Sequence, residues 1–371
     1  MQLVDKSSVF DIVDLLPGIA TAAISMLLVM TKGWHGNHSF DTTTGIQKFH
    51  SCQTPRVGGI AIFIGFIAAW LISSGSIATL LGSMLIASLP AFAAGLTEDI
   101  TKRVGVRTRL IATMISGLVA WKYTGYSIGH LAIPGIDNLL GYLPISIAFT
   151  AFAVAGVANA ANIIDGFNGL AAGTMMICFS ALCVIAGLVG DVELFRICLL
   201  LVIVIAGFLI LNFPFGKIFM GDGGAYLLGF MLAWVAVMLP QRNPMVSPWA
   251  PMLVCSYPII ETIFSMGRRT LNRAHPGHPD IGHLHSLIKI KVVNRYFPNL
   301  PQALRNGLVS PFCWLYTLIP SCFSIVFYTQ TVFLVVSAAA SFLLYALVYR
   351  YLVNLNSLDH QQISLKIENE D

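Results

Sequence analysis

The chain has 371 residues, 56% of them hydrophobic and 10% charged, with a mean hydropathy of +0.78 and a formal net charge of +4. A soluble globular domain carries roughly 25% charged residues, so this composition excludes a water-exposed fold and indicates an integral membrane protein. The seven cysteines make no Cys-x-x-Cys pair and mostly lie in apolar runs, which excludes a zinc framework or a disulfide scaffold.

Asp5, Asp11 and Asp14 precede the first apolar run, the wrong charge for the leading region of a signal peptide, so that run reads as an uncleaved first span. Segments apolar enough to cross a bilayer, which takes about 20 residues each, lie near 12–30, 57–74, 77–96, 110–128, 143–161, 171–189, 196–212, 224–240, 248–267, 307–328 and 331–350. The expected fold is therefore all-α, a polytopic bundle of about eleven transmembrane helices forming one domain over 1–371, with a tail at 351–371. The longest polar connections are 268–306 and 31–56, and neither holds a soluble domain.

With that span count, all but Lys6, Lys122, Arg196 and Arg242 of the 21 lysines and arginines fall in the connections and tail of one face. The positive-inside rule makes that face cytoplasmic, with the N-terminus outside, the C-terminus inside, and the protein multi-pass in the plasma (inner) membrane. The pI of 8.7 follows from these loops and fits anionic lipid headgroups; it is no sign of nucleic-acid binding.

The same face collects polar groups at span ends, where acids are costly and usually functional. Glu98 and Asp99 close the third span. Asn159, Asn162, Asp165 and Asn168 follow at steps of three, a spacing that lines one edge of a helix, with Gly166 and Gly169 interleaved. Asp222 stands in Gly221-Asp222-Gly223-Gly224, and 275–285 holds His275, His278, Asp280, His283 and His285. Glu261 falls inside a span and reads as a structural acid that pairs within the bundle.

The set Thr54-Pro55-Arg56-x-Gly58-Gly59, Gly95-Leu96-Thr97-Glu98-Asp99, Asn162 to Leu170, Lys217 to Gly224 and Pro279-Asp280-x-x-His283-Leu284-His285 resembles the polyprenyl-phosphate N-acetylhexosamine-1-phosphate transferases. This is the family of the WecA-type enzymes and, more distantly, the MraY translocases; the motifs run in its order across roughly 50–290. The resemblance implies transfer of a sugar-1-phosphate from a UDP-sugar donor to a polyprenyl-phosphate acceptor, a cytoplasmic active site, dependence on Mg²⁺ with Mn²⁺ as a substitute, and a homodimer. Carried over by position, it marks Glu98, Asp99, Asp165 and Asp222 as catalytic, with Asp222, Asp99 and Asp165 toward the metal. Lys102, Asn162, Asn168, His283, His285, Lys48 and Arg56 are marked for substrate. The chain departs from the pattern at Glu98, where the family has a first aspartate; at Asn168, where it has a second; and at Ile281 and Ser286, where it has Arg and a last His.

The residue types suit that chemistry on their own terms. A diphosphate and a lipid monophosphate must meet, so charge has to be neutralised, and Mg²⁺ takes one or two carboxylates plus phosphate oxygens and water. Lys102, Arg103, Arg107 and Arg109 offer a cationic clamp. Lys48 and His50 are placed either on the lipid phosphate or in a surface loop. Two rivals are weaker: a transporter should show midplane acids and repeated halves, and an intramembrane aspartyl protease needs a Gly two residues before Gly221, where Phe219 stands. The MraY-type translocase is the nearer alternative.

Overall fold

A computed structural model describes residues 11–41, 53–271 and 282–368, with side chains except at 37, 38 and 356–368. The described residues are almost entirely helical and form no strand; the one bridge, Phe40 with Pro55, ties the polar connection after the first span back to its own end. Each of the eleven apolar segments lies on helix. Eight helices are long and apolar enough to cross a membrane: Ile12–Met30, Gly75–Thr101, Leu143–Ile163, Leu170–Val189, Val192–Asn212, Gly221–Arg242, Gln302–Val326 and Thr331–Leu355. The chain is a multi-pass membrane protein. The remaining three segments fall on shorter or more polar helices. Gly58–Ile72 has 15 residues, Val106–Thr124 carries Arg107, Arg109 and Lys122, and the ninth is broken at Cys255 into Trp249–Val254 and Ser256–Leu271.

In chain order the helices are α1 (Leu16–Met30), α2 (Lys32–Ser39), α3 (Gly58–Ile72), α4 (Gly75–Thr101), α5 (Val106–Thr124), α6 (Ile136–Leu140), α7 (Leu143–Ile163), α8 (Leu170–Val189) and α9 (Val192–Asn212). There follow α10 (Gly221–Arg242), α11 (Trp249–Val254), α12 (Ser256–Leu271), α13 (Leu284–Leu287), a π-helical segment (Ile288–Val293), α14 (Asn294–Tyr296), α15 (Gln302–Gly307), α16 (Val309–Val326) and α17 (Thr331–Glu368).

Helix α10 is the axis of the bundle. From Gly221 to Val235 every residue is buried, because the helix is apolar all round and α3, α4, α5, α7 and α8 enclose it. Small residues make this possible: Gly223 and Gly224 face Leu96 and Gly59, and Gly229 meets Ala158 and Ala161. In a bilayer such close approach supplies the packing that lipid cannot. At the rim, α17 leaves most of its apolar surface exposed, as a lipid-facing helix does. Helix α4 carries Pro90 in its interior, and the N–H of Ala91 next to it turns out of the helix to Ser116 Oγ, 3.1 Å away on α5. The positive-φ residue Lys102 then ends α4, and the chain returns to the same bundle end where α7 stops and α10 starts.

Candidate active site

Helix α10 begins at this end with Gly221 at φ +74°, and a Cβ there would fall 2.6 Å from the Arg56 carbonyl oxygen, so only glycine fits. The exposed N–H groups of the first turn need acceptors. They receive Asp99 from α4: the N–H of Asp222 donates to Oδ1 and that of Gly223 to Oδ2, each at 2.8 Å. Asp99, 1% exposed, thus serves as an N-cap delivered by a neighbouring helix.

Asp222, 3% exposed, is clamped from three sides. Arg56 reaches Oδ1 through Nη2, Arg109 reaches Oδ2 through Nη1, and Asn162 Nδ2 donates to Oδ1 at 3.0 Å. Arg56 also approaches Asp99 (Nε to Oδ1, 3.2 Å) and Asp41 (Nη1 to Oδ1, 3.6 Å), so one guanidinium bridges three carboxylates. The main-chain bonds Asp41 N to Thr54 O and Arg56 N to Ser39 O hold this arm in place. The Arg109 guanidinium lies over the Tyr226 ring at 5.5 Å, and the Tyr226 hydroxyl donates to Asn159 Oδ1 at 3.0 Å.

The step-of-three edge therefore holds for Asn159 and Asn162, both aimed at α10, and ends with α7 at Ile163. Asp165 sits in the turn that follows, half-buried and accepting no hydrogen bond among the described residues. Burial pushes its carboxyl from 3.8 up to about 7, against the opposing pull of Arg56. Asn168 turns away from the site. Its amide donates to the carbonyls of Pro214 (2.9 Å) and Ala303 (3.1 Å), and Ser310 Oγ donates to its own carbonyl at 2.6 Å. It fastens the 164–169 turn to α15 and α16.

The histidine turn enters from the other side. Glu261, fully buried on α12, lies 2.9 Å from His283 Nδ1 through Oε1 and accepts the N–H of Leu284 at 3.3 Å. The rings of His283 and His285 stack at 5.1 Å and 8°. His285 leans on the 165–169 turn: a Cβ at Gly166 would lie 3.1 Å from its Nε2, and Phe167 meets its ring edge-on at 5.7 Å.

Of the sequence-derived site, Arg56, Asp99, Asn162, Asp165, Asp222, His283 and His285 gather at one bundle end. Lys102 lies beside them, its Nζ donating to the Asp99 carbonyl at 2.6 Å; burial, with Arg56 adding to it, lowers its ammonium. Glu98 points elsewhere and accepts the N–H of Val104 at 2.6 Å. Lys48, His50, His275, His278 and Asp280 lie outside the described residues. Three participants carried too little sequence signal to be singled out: Asp41, Arg109 as a direct partner of Asp222, and Glu261 as the anchor of the histidine turn. Arg109 alone was within reach, since it stands one turn inside an amphiphilic helix start rather than in the loop.

The description "Glycosyl transferase family 4" fits residues 81–240, which hold Asp99, Asp165 and Asp222. Over this stretch the chain is similar to glycosyl transferase family 4. It is similar to a Bacillus subtilis protein named a probable undecaprenyl-phosphate N-acetylglucosaminyl 1-phosphate transferase, at 30% identity over 244 residues, 64% of this chain and 66% of that one. It is 29% identical over 250 residues (65% and 67%) to the Yersinia pestis undecaprenyl-phosphate alpha-N-acetylglucosaminyl 1-phosphate transferase. It is 32% identical over 276 residues (64% and 66%) to the decaprenyl-phosphate N-acetylglucosaminephosphotransferase of Mycolicibacterium smegmatis. The matched stretch thus spans about two thirds of each relative's length.

Whether these residues suit a divalent cation can be asked of their chemistry. Among the described residues no three His, Cys, Asp or Glu side chains form a closed cage. A closed cage is not what Mg²⁺ requires, because it keeps waters and substrate phosphates and uses one or two carboxylates. Asp165, without a hydrogen-bond donor and beside the Arg56 bridge to Asp99 and Asp222, meets that requirement.

Proposed function

We propose that this protein transfers a sugar-1-phosphate from a UDP-sugar to a polyprenyl phosphate. UMP is released, and the product is a lipid-diphosphate-linked sugar that starts a surface glycan. The observation that carries the reading is the convergence of Asp99, Asp165 and Asp222 with Arg56, Arg109 and the His283–His285 turn at one end of a buried helix. Anionic reactants that repel each other need such a mixed cluster. Arginines neutralise phosphate oxygens in bidentate geometry, and carboxylates hold a hard cation.

The lipid phosphate oxygen forms a bond to the phosphorus that bears the sugar, and the bond from that phosphorus to the UMP oxygen breaks. The electron pair leaves on UMP. The nucleophile is already ionised near neutral pH, its second pKa being about 6, so positioning and charge neutralisation outweigh proton abstraction. Asp165, with Asp222 and Asp99 behind it, would hold Mg²⁺ or Mn²⁺, which would supply charge neutralisation between the phosphates. Arg56 and Arg109 orient and discharge phosphate oxygens. His283 is fixed through Nδ1 by Glu261, and His285 stands over the Gly166 backbone; both suit donation to a phosphate or to the leaving UMP. Lys102 adds positive charge at the mouth.

The same reading places the site on the cytoplasmic face of the plasma membrane in an eleven-span chain, N-terminus outside and C-terminus inside. The distribution of lysine and arginine supports this. The homodimer implied by the resemblance belongs to the same proposal. N-acetylglucosamine is the first donor to try, as the names of the relatives include it.

The test is UMP release by the purified protein given undecaprenyl phosphate, Mg²⁺ and a panel of UDP-sugars. Release with UDP-N-acetylhexosamines and its loss on chelation are expected. No release with any member of the panel would end the proposal.

A further inference from the structure

The turn that carries His283 and His285 runs directly into the π-helical segment Ile288–Val293. π geometry is rare and recurs at functional sites, because it re-aims side chains that an α-helix would stack. Lys289 is in that segment, four residues after His285. Its side chain is 3% exposed, and its Nζ has no hydrogen-bond or ion-pair partner among the described residues.

The helix packed against this segment, α15, carries a second cation. Arg305, half-buried on α15, uses Nη1 on Asn294 Oδ1 at 3.3 Å, while its buried Nε has no acceptor. The Lys289 ammonium is lowered to about 8, first by burial and then by the Arg305 charge, so the two groups feel each other. A buried cation without a counter-ion is costly, and two side by side are costlier. The fold nevertheless fixes both. Asn168 bonds the Ala303 carbonyl on α15, and this ties the helix that bears Arg305 to the turn that bears Asp165.

We propose that Lys289 and Arg305 form a phosphate pocket one helical turn beyond His285, which seats a phosphate group of one of the two reactants. The identity of those reactants rests on the transfer reading; the pocket itself does not. Lys289 acts as a positioning residue, holding a phosphate by charge without touching the bond that breaks. A phosphate oxygen would satisfy Lys289 Nζ and Arg305 Nε together, which no side chain of the described protein does.

The test is binding without turnover. UDP and, separately, farnesyl phosphate are titrated by equilibrium dialysis onto the purified full-length protein. Lys289→Met removes the charge at similar length and should weaken one of the two ligands at least tenfold. Lys289→Arg should restore binding to within threefold of wild type, and Lys291→Met, two residues along, should leave it unchanged. A loss confined to UDP assigns the pocket to the donor, and a loss confined to farnesyl phosphate assigns it to the acceptor. Arg305→Gln should reproduce the loss and decides alone if Lys289→Met does not fold. Equal binding of both ligands by wild type and these variants overturns the proposal, as does a wild-type protein that binds neither. Intact binding with no UMP release would end the transfer reading and leave the pocket standing.

Discussion

The two ends of α10, about 30 Å apart at 1.5 Å per residue, carry ionic clusters of similar composition and opposite character. At the end where α10 stops, Arg242 is bidentate with Asp191 at 2.7 and 2.9 Å and adds Glu193 at 2.7 Å. Asn243 completes Asp191 at 3.0 Å. Burial would raise the Asp191 carboxyl, but the hydrogen bonds from Arg242, Asn243 and the Leu194 N–H outweigh it and leave it below the usual range. At the end where α10 starts, Asp165 has burial without such donors and is pushed up to about 7. One cluster is closed by its own side chains. The other leaves an acid and, nearby, two cations short of partners, as a surface that receives charged reactants must.

Substitutions can break that contrast. Asp222→Asn should lower turnover by three orders of magnitude or more, because it strips the charge that Arg56 and Arg109 oppose. Asp191→Asn should cost about 3–5 kcal/mol of stability while UMP release per folded molecule stays within about threefold. Thermal unfolding and initial rates on both variants check this; a large rate loss at Asp191 would erase the distinction.

Arg109→Gln is expected to cost about 100-fold in kcat/KM, roughly 2.7 kcal/mol at the transition state, measured as initial rates over a donor series. His283→Ala and His285→Ala should each lose at least tenfold, roughly 1.4 kcal/mol, and His275→Ala little. Equal small effects at all three would make the histidine turn scaffolding.

Glu98→Gln should stay within about threefold of wild type, since a glutamine carbonyl can still accept the Val104 N–H. Loss of most activity would instead return Glu98 to the reacting groups. The smallest effect concerns pH. Because the Asp165 carboxyl titrates near 7 in the folded chain and near 3.8 otherwise, the folded state holds its proton more tightly. The ligand-free protein should therefore lose stability as pH rises from about 4 to 7. Asp165→Asn should flatten that slope in a thermal-unfolding series; an unchanged slope would mean that Asp165 is solvated.

Much of this was legible in the residues. Eleven apolar stretches fall on helices, and the acids at their ends converge because short motifs at span ends leave few other arrangements. Pairings across long separations were not legible. Arg56 and Asp222 are 166 residues apart, and nothing near either names the other. Glu261 reads as a structural acid until the His283 ring appears 2.9 Å from it. Asn168 looks like a fourth member of the polar edge, but α7 ends at Ile163, and in the turn that follows the Asn168 amide reaches the Pro214 and Ala303 carbonyls instead. Periodicity describes a helix, and it stops where the helix does.

The Asp99 cap on α10 has a mechanical side. Its two oxygens hold two consecutive N–H groups, which sit about 100° apart around the helix axis, so the cap sets the rotational phase of α10 as well as its height. Rotation or sliding of α10 against α4 would break both bonds inside a buried contact. The two helices therefore tilt as one stiff body when the bilayer thickens or thins. Asp99 and Asp222 travel with it, and their spacing does not depend on the thickness of the membrane.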